Sequence, residues 1–139
     1  MRIVVIDGQG GRIGSSLVEA LRRRSCPGEI LAIGANALAT AAMLKAGADR
    51  GATGENPVIV VAPDADVILG PIGILAGNAL LGEITTGMAL AVSGSRARKI
   101  LVPVNQCNIT VAGSQSLTLT EAVEQAAELA VGLCTGDRG

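Results

Sequence analysis

The 139-residue chain contains no phenylalanine, tyrosine, tryptophan or histidine. With no ring to stack on a base, an aromatic platform for single-stranded nucleic acid is excluded. Without imidazole, Ser-His-Asp and Cys-His catalysis are excluded, and any general acid or base falls to Asp, Glu, Lys or Cys. The three cysteines, Cys26, Cys107 and Cys134, are scattered with no CxxC pair, so no metal site is predicted. Free thiols of this kind predict a reducing, cytoplasmic setting. No apolar run is long enough to span a bilayer: the longest, residues 67–77, is broken by Pro71. Residues 1–6 give way at once to Asp7 and glycines, so they read as a strand rather than a signal peptide. Charge is sparse as well, at 17% of residues with a net value of -1, and no nucleic-acid partner or membrane is predicted. The one basic cluster, Arg22-Arg23-Arg24, closes a predicted helix, where cations oppose the negative end of the helix dipole. An anion or RNA patch is the competing reading.

What is present is mainly aliphatic. Hydrophobic residues make up 49% of the chain, so the core must be built from Ile, Val, Leu, Ala and Met. The length suits one domain over residues 1–134, with a polar tail at 135–139, and leaves little room for a separate substrate domain. A mean hydropathy of +0.50 predicts apolar surface covered by a partner, hence a homodimer.

Residues 2–6 (RIVVI) form a continuous apolar run, the signature of a central parallel strand buried on both faces. Residues 12–24 follow with helical spacing of Ile13, Leu17, Ala20 and Leu21, and Cys26-Pro27-Gly28 stops them. Residues 30–34 are the second strand, completing a βαβ unit. An alanine-rich helix over 37–46 has Asn36 as N-cap and Gly47 beyond its end. The next stretch has two readings. Either 48–53 is a strand and 57–62 a short helix cut off by Pro63, or 58–62 is itself the third strand. Residues 66–69 are a strand under both. A helix over 74–81, an interruption at 82–87 and a helical turn over 88–92 follow. Strands at 99–104 and 109–112 are close enough in sequence to predict an antiparallel hairpin at a sheet edge. Thr118 and Glu121 make a capping box for a last helix reaching about Leu133, with Ala122, Ala126, Leu129 and Leu133 on one face. The fold class predicted is α/β: a Rossmann-like, doubly wound, mostly parallel sheet with helices on both faces and an antiparallel edge.

The strongest chemical signal is the turn V-V-I-D-G-Q-G-G-R-I-G. Gly8 is expected to supply positive φ, Gly10 or Gly11 to let main-chain N–H groups approach a phosphate, and Gly14 to let helix and strand pack closely. The helix N-terminus then aims free N–H groups at an anion. Arg12, a cation where the dipole disfavours one, is explained if it faces a phosphate or the Asp7 carboxylate. Candidate cofactor-binding residues here are Asp7, Gly8, Gln9, Gly10, Gly11, Arg12, Ile13 and Gly14. The spacing, GxGxxxG or GxxGxxG, departs from the strict dinucleotide form, and the second strand ends in Gly34-Ala35-Asn36 with no acid for ribose hydroxyls. Asn36 or Thr40 is left for that role.

Loops at the carboxyl ends of the strands should converge on the same crevice. They add Gly70, Pro71, Gly73 and Asn105 to the candidate set. Glu83 is a further polar residue among apolar ones, readable as a substrate-orienting acid or as a solvated loop residue. Glu55 is a candidate base or a helix-start acid, and Cys107 lacks a neighbouring base to activate it.

With these residues in place, the chain resembles a small bacterial family known only as a domain of unknown function. The resemblance rests on the opening turn, A-T-A-A-M-L-K-A-G-A-D from Ala39, G-A-T-G-E-N from Gly51, G-P-I-G-I-L from Gly70, L-G-E-I-T from Leu81 and the strand at 100–103 with Asn105, Cys107, Asn108 and Ile109. It implies a Rossmann-like fold and nucleotide binding and brings no known activity. More distantly, the first half is similar to the cofactor domain of NAD(P)-dependent reductases. The expectation is therefore a nucleotide-binding protein, with NAD or NADP as the cofactor. The alternatives are a minimal NAD(P)-dependent oxidoreductase and an interaction protein without a ligand.

Overall fold

The computed structural model describes residues 1–105 and 108–136. Five strands alternate with helices: β1 (Arg2–Asp7), α1 (Arg12–Arg23), β2 (Glu29–Gly34), α2 (Ala37–Ala46), β3 (Arg50–Thr53), α3 (Glu55–Val61), β4 (Val67–Pro71), α4 (Thr86–Gly94), β5 (Arg98–Val102) and α5 (Leu119–Cys134). The sheet order is β3-β2-β1-β4-β5, every pairing parallel, with the first strand central. This is a doubly wound, Rossmann-like α/β arrangement.

The apolar strands divide their side chains between two cores. Ile3 and Val5 of β1, Ile30 and Ala32 of β2, and Val67 and Leu69 of β4 join α1, α5 and Met43 of α2 on one face. Val4, Ile6, Leu31, Ile33 and Ile68 join α3 and α4 on the other. A strand buried on both faces needs no polar alternation, which is why RIVVI reads as an unbroken run. Alanines do the close packing that larger side chains would prevent. Ala122, Ala126, Ala127 and Ala130 turn the buried side of α5 towards the sheet, and Leu129, expected on that face, is exposed.

The third crossover follows the first of the two sequence readings. Residues 50–53 are β3, and a short helix precedes Pro63. That helix begins at Glu55 rather than after Asn56, which places Pro57 in its first turn, where a missing N–H breaks no helical bond. The expected helix over 74–81 is absent. A 3-10 turn at Ile72–Leu75 leads into an irregular loop in which Asn78, Leu80, Leu81 and Gly82 have positive φ. Burial of Leu80 and Ile84 directs this loop and overrides local helix propensity. The antiparallel edge is not formed either: β5 runs parallel to β4, and residues 108–112 carry no strand. Pro103, which has no N–H to donate, follows the last residue of β5.

The N-termini of α2 and α5 are capped as their sequences predict. Asn36 accepts from the Ala39 amide at 2.9 Å, and Thr118 and Glu121 form the reciprocal capping box at 3.1 Å each way. The arginine triplet is tied down by acids and a carbonyl. Arg22 bonds Asp49 and the Gly47 carbonyl, and Arg23 and Arg24 share Glu124 of α5. No helix among the described residues is long and apolar enough to cross a membrane.

Candidate functional site

The glycine turn lies at the carboxyl end of the central strand, as the sheet order requires. Its geometry differs from expectation in one respect. Positive φ falls on Gln9 (48°) and Gly11 (71°), and Gly8 is a glycine for another reason. A Cβ at Gly8 would stand 2.8 Å from a Glu83 carboxylate oxygen and 2.9 Å from Leu80. Gly11 caps α1 in the left-handed conformation, and no side chain caps that helix at the N-cap position itself. Gly14 fits between Met43 and Asp7, with hypothetical Cβ distances of 2.6 and 2.9 Å.

Two carboxylates take up much of the turn's donor capacity. Asp7, buried at the end of β1, accepts from the Gly8 amide at 2.8 Å with Oδ1 and from the Gly14 amide at 2.7 Å with Oδ2. It thus serves α1 as a cap reaching in from the preceding strand. Burial pushes its pKa up. The Gly14 and Gly8 amides pull the other way, the nearby Glu83 charge raises it further, and the Ile13 amide lowers it. Glu83 accepts from the Gln9 amide at 2.6 Å and from the Asn36 side-chain amide at 2.7 Å. Asn36 also donates to the Gln9 carbonyl at 2.9 Å. Glu83 therefore fastens the loop after β4 to both the glycine turn and the end of β2. Sequence spacing gave no sign of this contact, because it joins residues 74 positions apart.

What remains open is the outer rim of the turn. Among the described residues, the Gly10 and Arg12 amides have no acceptor in the protein, and the exposed Arg12 guanidinium has neither an ion pair nor a hydrogen bond. A Cβ at Gly10 would meet nothing within 4 Å. These groups border a cleft of about 170 Å³ bounded by residues 7–13, Pro71, Leu80, Val104 and Leu119. It is smaller than the roughly 300–1,000 Å³ of a typical small-molecule pocket.

Of the residues expected from sequence, the structure brings Asp7, Gly8, Gln9, Gly10, Gly11, Arg12, Ile13 and Pro71 to this cleft. Gly14 sits one residue behind it, its amide held by Asp7. Asn36 lies on the other side of the turn and is occupied by Ala39, Gln9 and Glu83. Thr40 is buried and its hydroxyl is shared with the Asn36 and Ala52 carbonyls and Thr53, so it is not available to a ribose. Gly70 is set against the Ile6 carbonyl inside the sheet, and Gly73 is buried in the 3-10 turn; neither borders the cleft. Asn105 is exposed and outside the cleft lining. Cys107 lies outside the described residues. Glu55 faces α4, where it accepts from the Thr85 hydroxyl, and is remote in role from the turn. No group of three or more metal-ligating side chains occurs among the described residues.

Residues 2–134 match the profile of DUF3842, a domain of unknown function. The chain belongs to that family. No curated protein matches it. Among solved structures, the crystal structure of AibC is similar at 16% identity and a TM-score of 0.47, over 99% of this chain and 43% of that one. The DUF3842 chain thus spans less than half the length of that protein.

Proposed function

We propose that this DUF3842 protein binds a nucleotide through its phosphates, at the cleft beside residues 7–13. The observation that carries the reading is the unpaired Arg12 guanidinium standing with the open Gly10 and Arg12 amides on one rim. A cation in the first turn of a helix opposes the dipole, and among the described residues no acid forms an ion pair with it. Main-chain N–H groups with a guanidinium match the acceptor oxygens of a phosphate. The cleft volume suits phosphates and part of a sugar, with the base lying over the open rim. NAD and NADP remain the dinucleotides to test first. A ribose reaching towards β2 would meet the Glu83 carboxylate, whose oxygens have lone pairs beyond those used by Gln9 and Asn36. An oxidoreductase reading gains little from the site, since Asp7, the acid on the cleft, is turned to amides of its own turn.

Thermal unfolding with NAD, NADP, ATP, ADP and pyrophosphate tests the proposal, with Arg12→Ala as comparison. A ligand at 100 times its dissociation constant adds about 2.7 kcal/mol of stability. Stabilisation by a phosphate-bearing ligand that is lost in Arg12→Ala is the expected result. No shift with any of the five, or a shift indifferent to Arg12, would overturn it.

A further inference from the structure

The two faces of the sheet are covered unequally. One carries α1, α2 and the 16-residue α5; the other carries shorter helices, α3 of 7 residues and α4 of 9, together with the turns and loop that bury Ala62, Ile74, Leu80 and Ile84. Large apolar side chains stand in water on this shorter-helix layer, as Leu38 and Leu129 do on the other. Leu90 of α4 is 72% exposed and Val60 of α3 61%, and Ile59 is also exposed. Between these helices runs a groove of about 580 Å³. Gly87, Ala91 and Gly94 of α4 keep it open, Ile59 and Pro63 form the facing wall, and Leu90 rises beside it. A protruding leucine next to a groove floored by small residues is a self-complementary shape.

Charge gives the surface a direction. At one end, Glu55 lies so close to Gly87 that a Cβ there would meet its carboxylate at 3.0 Å. At the other end, Arg96 borders the groove with its side chain 69% exposed, and among the described residues its one ion pair is a 3.8 Å approach to Asp66. The two ends are separated by about 1.5 Å per residue along α4, with Leu90 and Ala91 midway. A two-fold axis through that midpoint brings the Leu90–Ala91 segment of each copy against that of the other. It also brings the Arg96 of each copy to the Glu55 of the other, at both ends at once.

We propose that the α3–α4 face is the interface of a two-fold homodimer, centred on Leu90 and keyed by Glu55 and Arg96. This inference stands apart from the nucleotide cleft, which is built from the turn after β1. An isologous interface uses the same patch on both subunits, and here one patch carries the knob, the hole and both charges. Partial exposure of large apolar side chains on a short-helix layer is thereby explained without a second protein.

Sedimentation equilibrium of the full chain tests it, with circular dichroism to establish that each variant is folded. The wild type is expected to be dimeric. Leu90→Glu, at a solvent-exposed position, and Gly94→Leu, where a Cβ meets nothing within 4 Å, should each weaken dimerisation about tenfold or more without loss of helix. Arg96→Glu and Glu55→Arg should each weaken it, and the double exchange should recover affinity relative to either single change. A wild-type chain that stays monomeric at about 100 μM overturns the proposal, since the covering partner would then be another molecule. So does a dimer indifferent to Leu90→Glu and Gly94→Leu, or a charge exchange with no recovery.

Discussion

The Asp7 carboxylate reaches the Gly14 amide at 2.7 Å, closing the start of α1 with an acid that belongs to the strand before it. The same carboxylate holds the Gly8 amide, so one buried side chain fixes both ends of the turn. Leaving a buried donor without an acceptor costs about 1–3 kcal/mol. Asp7→Ala strands two donors beside the core and should destabilise the fold by about 2–4 kcal/mol, read by denaturant unfolding. Asp7→Asn keeps one acceptor oxygen and should cost less. An Asp7→Ala chain as stable as the wild type would show that water satisfies those amides and that the turn does not depend on the acid.

The pH dependence of that pair is informative because Asp7 titrates high. Its folded pKa lies above the ordinary carboxylate value, so between the two the native state holds a proton that the unfolded chain has released. Stability from this group is therefore fully present at acid pH and lost as pH rises through the folded pKa. Asp7→Asn lacks that dependence. The stability difference between wild type and Asp7→Asn should favour the wild type most at low pH, shrink as pH rises and then level off. Asp49, whose pKa is lowered first by the Ile30 amide and then by Arg22, acts in the opposite sense, but it is common to both chains and cancels. A difference that stays flat, or grows with pH, would contradict the burial of Asp7.

Glu83 places a second negative group against the turn, bonded to the Gln9 amide and to Asn36. Glu83→Gln preserves the size and one acceptor while removing the charge. It should change stability by less than about 1 kcal/mol, since the contact is partly exposed. It should also tighten binding of pyrophosphate, which has no ribose, because a like charge near the anion is gone. Titration calorimetry with pyrophosphate on both chains decides this; weaker binding by Glu83→Gln would mean that the carboxylate shapes the site more than it repels the ligand.

Gly14 is fixed by packing rather than by backbone conformation. An added methyl would stand 2.6 Å from the Met43 sulfur and 2.9 Å from the Asp7 Cβ. Met43 can shift, whereas Asp7 is held by two amides, so Gly14→Ala should cost about 1–3 kcal/mol, as overpacking does elsewhere. Because Asp7 is displaced, its pH dependence should weaken in the same variant. Unfolding measured at acid and neutral pH reads both effects, and an undisturbed Gly14→Ala would contradict the tight packing of α1 against α2.

Much of this arrangement is legible in the chain because its local signals agree. Ile3 to Ile6 have no polar alternation, so they fit only a strand covered on both sides. Asn36, Gly47 and the Thr118–Glu121 pair carry their caps within a few residues. The parts that escape are those decided over long separations. Glu83 gains its role from Gln9 and Asn36, and Leu80 from packing over Gly8; neither spacing nor propensity encodes such contacts. Residues 74–81 have helix-forming side chains, yet burying Leu80 and Ile84 bends them into a loop with three non-glycine residues at positive φ. The hairpin expected after β5 fails for a related reason: short separation favours an antiparallel partner, but Pro103 interrupts donation as the chain leaves the sheet. In the glycine turn the signature marks the right place while misassigning the residue, since positive φ sits at Gln9 and Gly11 and Gly8 answers to crowding.

Arg12 separates the proposed ligand from the requirements of folding. If its guanidinium served the fold, replacing it would lower stability. Among the described residues its guanidinium has no partner, and its place in the first turn of α1 sets it against the helix dipole. Arg12→Glu should therefore raise stability by about 0.3–1 kcal/mol at low ionic strength, with the gain fading as salt is added. The same change puts a carboxylate on the cleft rim and should weaken ATP or pyrophosphate binding by about tenfold or more. Stability and affinity thus move in opposite directions on one substitution. Paired measurements of unfolding and ligand titration on wild type, Arg12→Ala and Arg12→Glu test this, with Arg12→Ala expected between the other two on both scales. A joint fall in stability and binding would mark Arg12 as structural and remove the main support for a phosphate site.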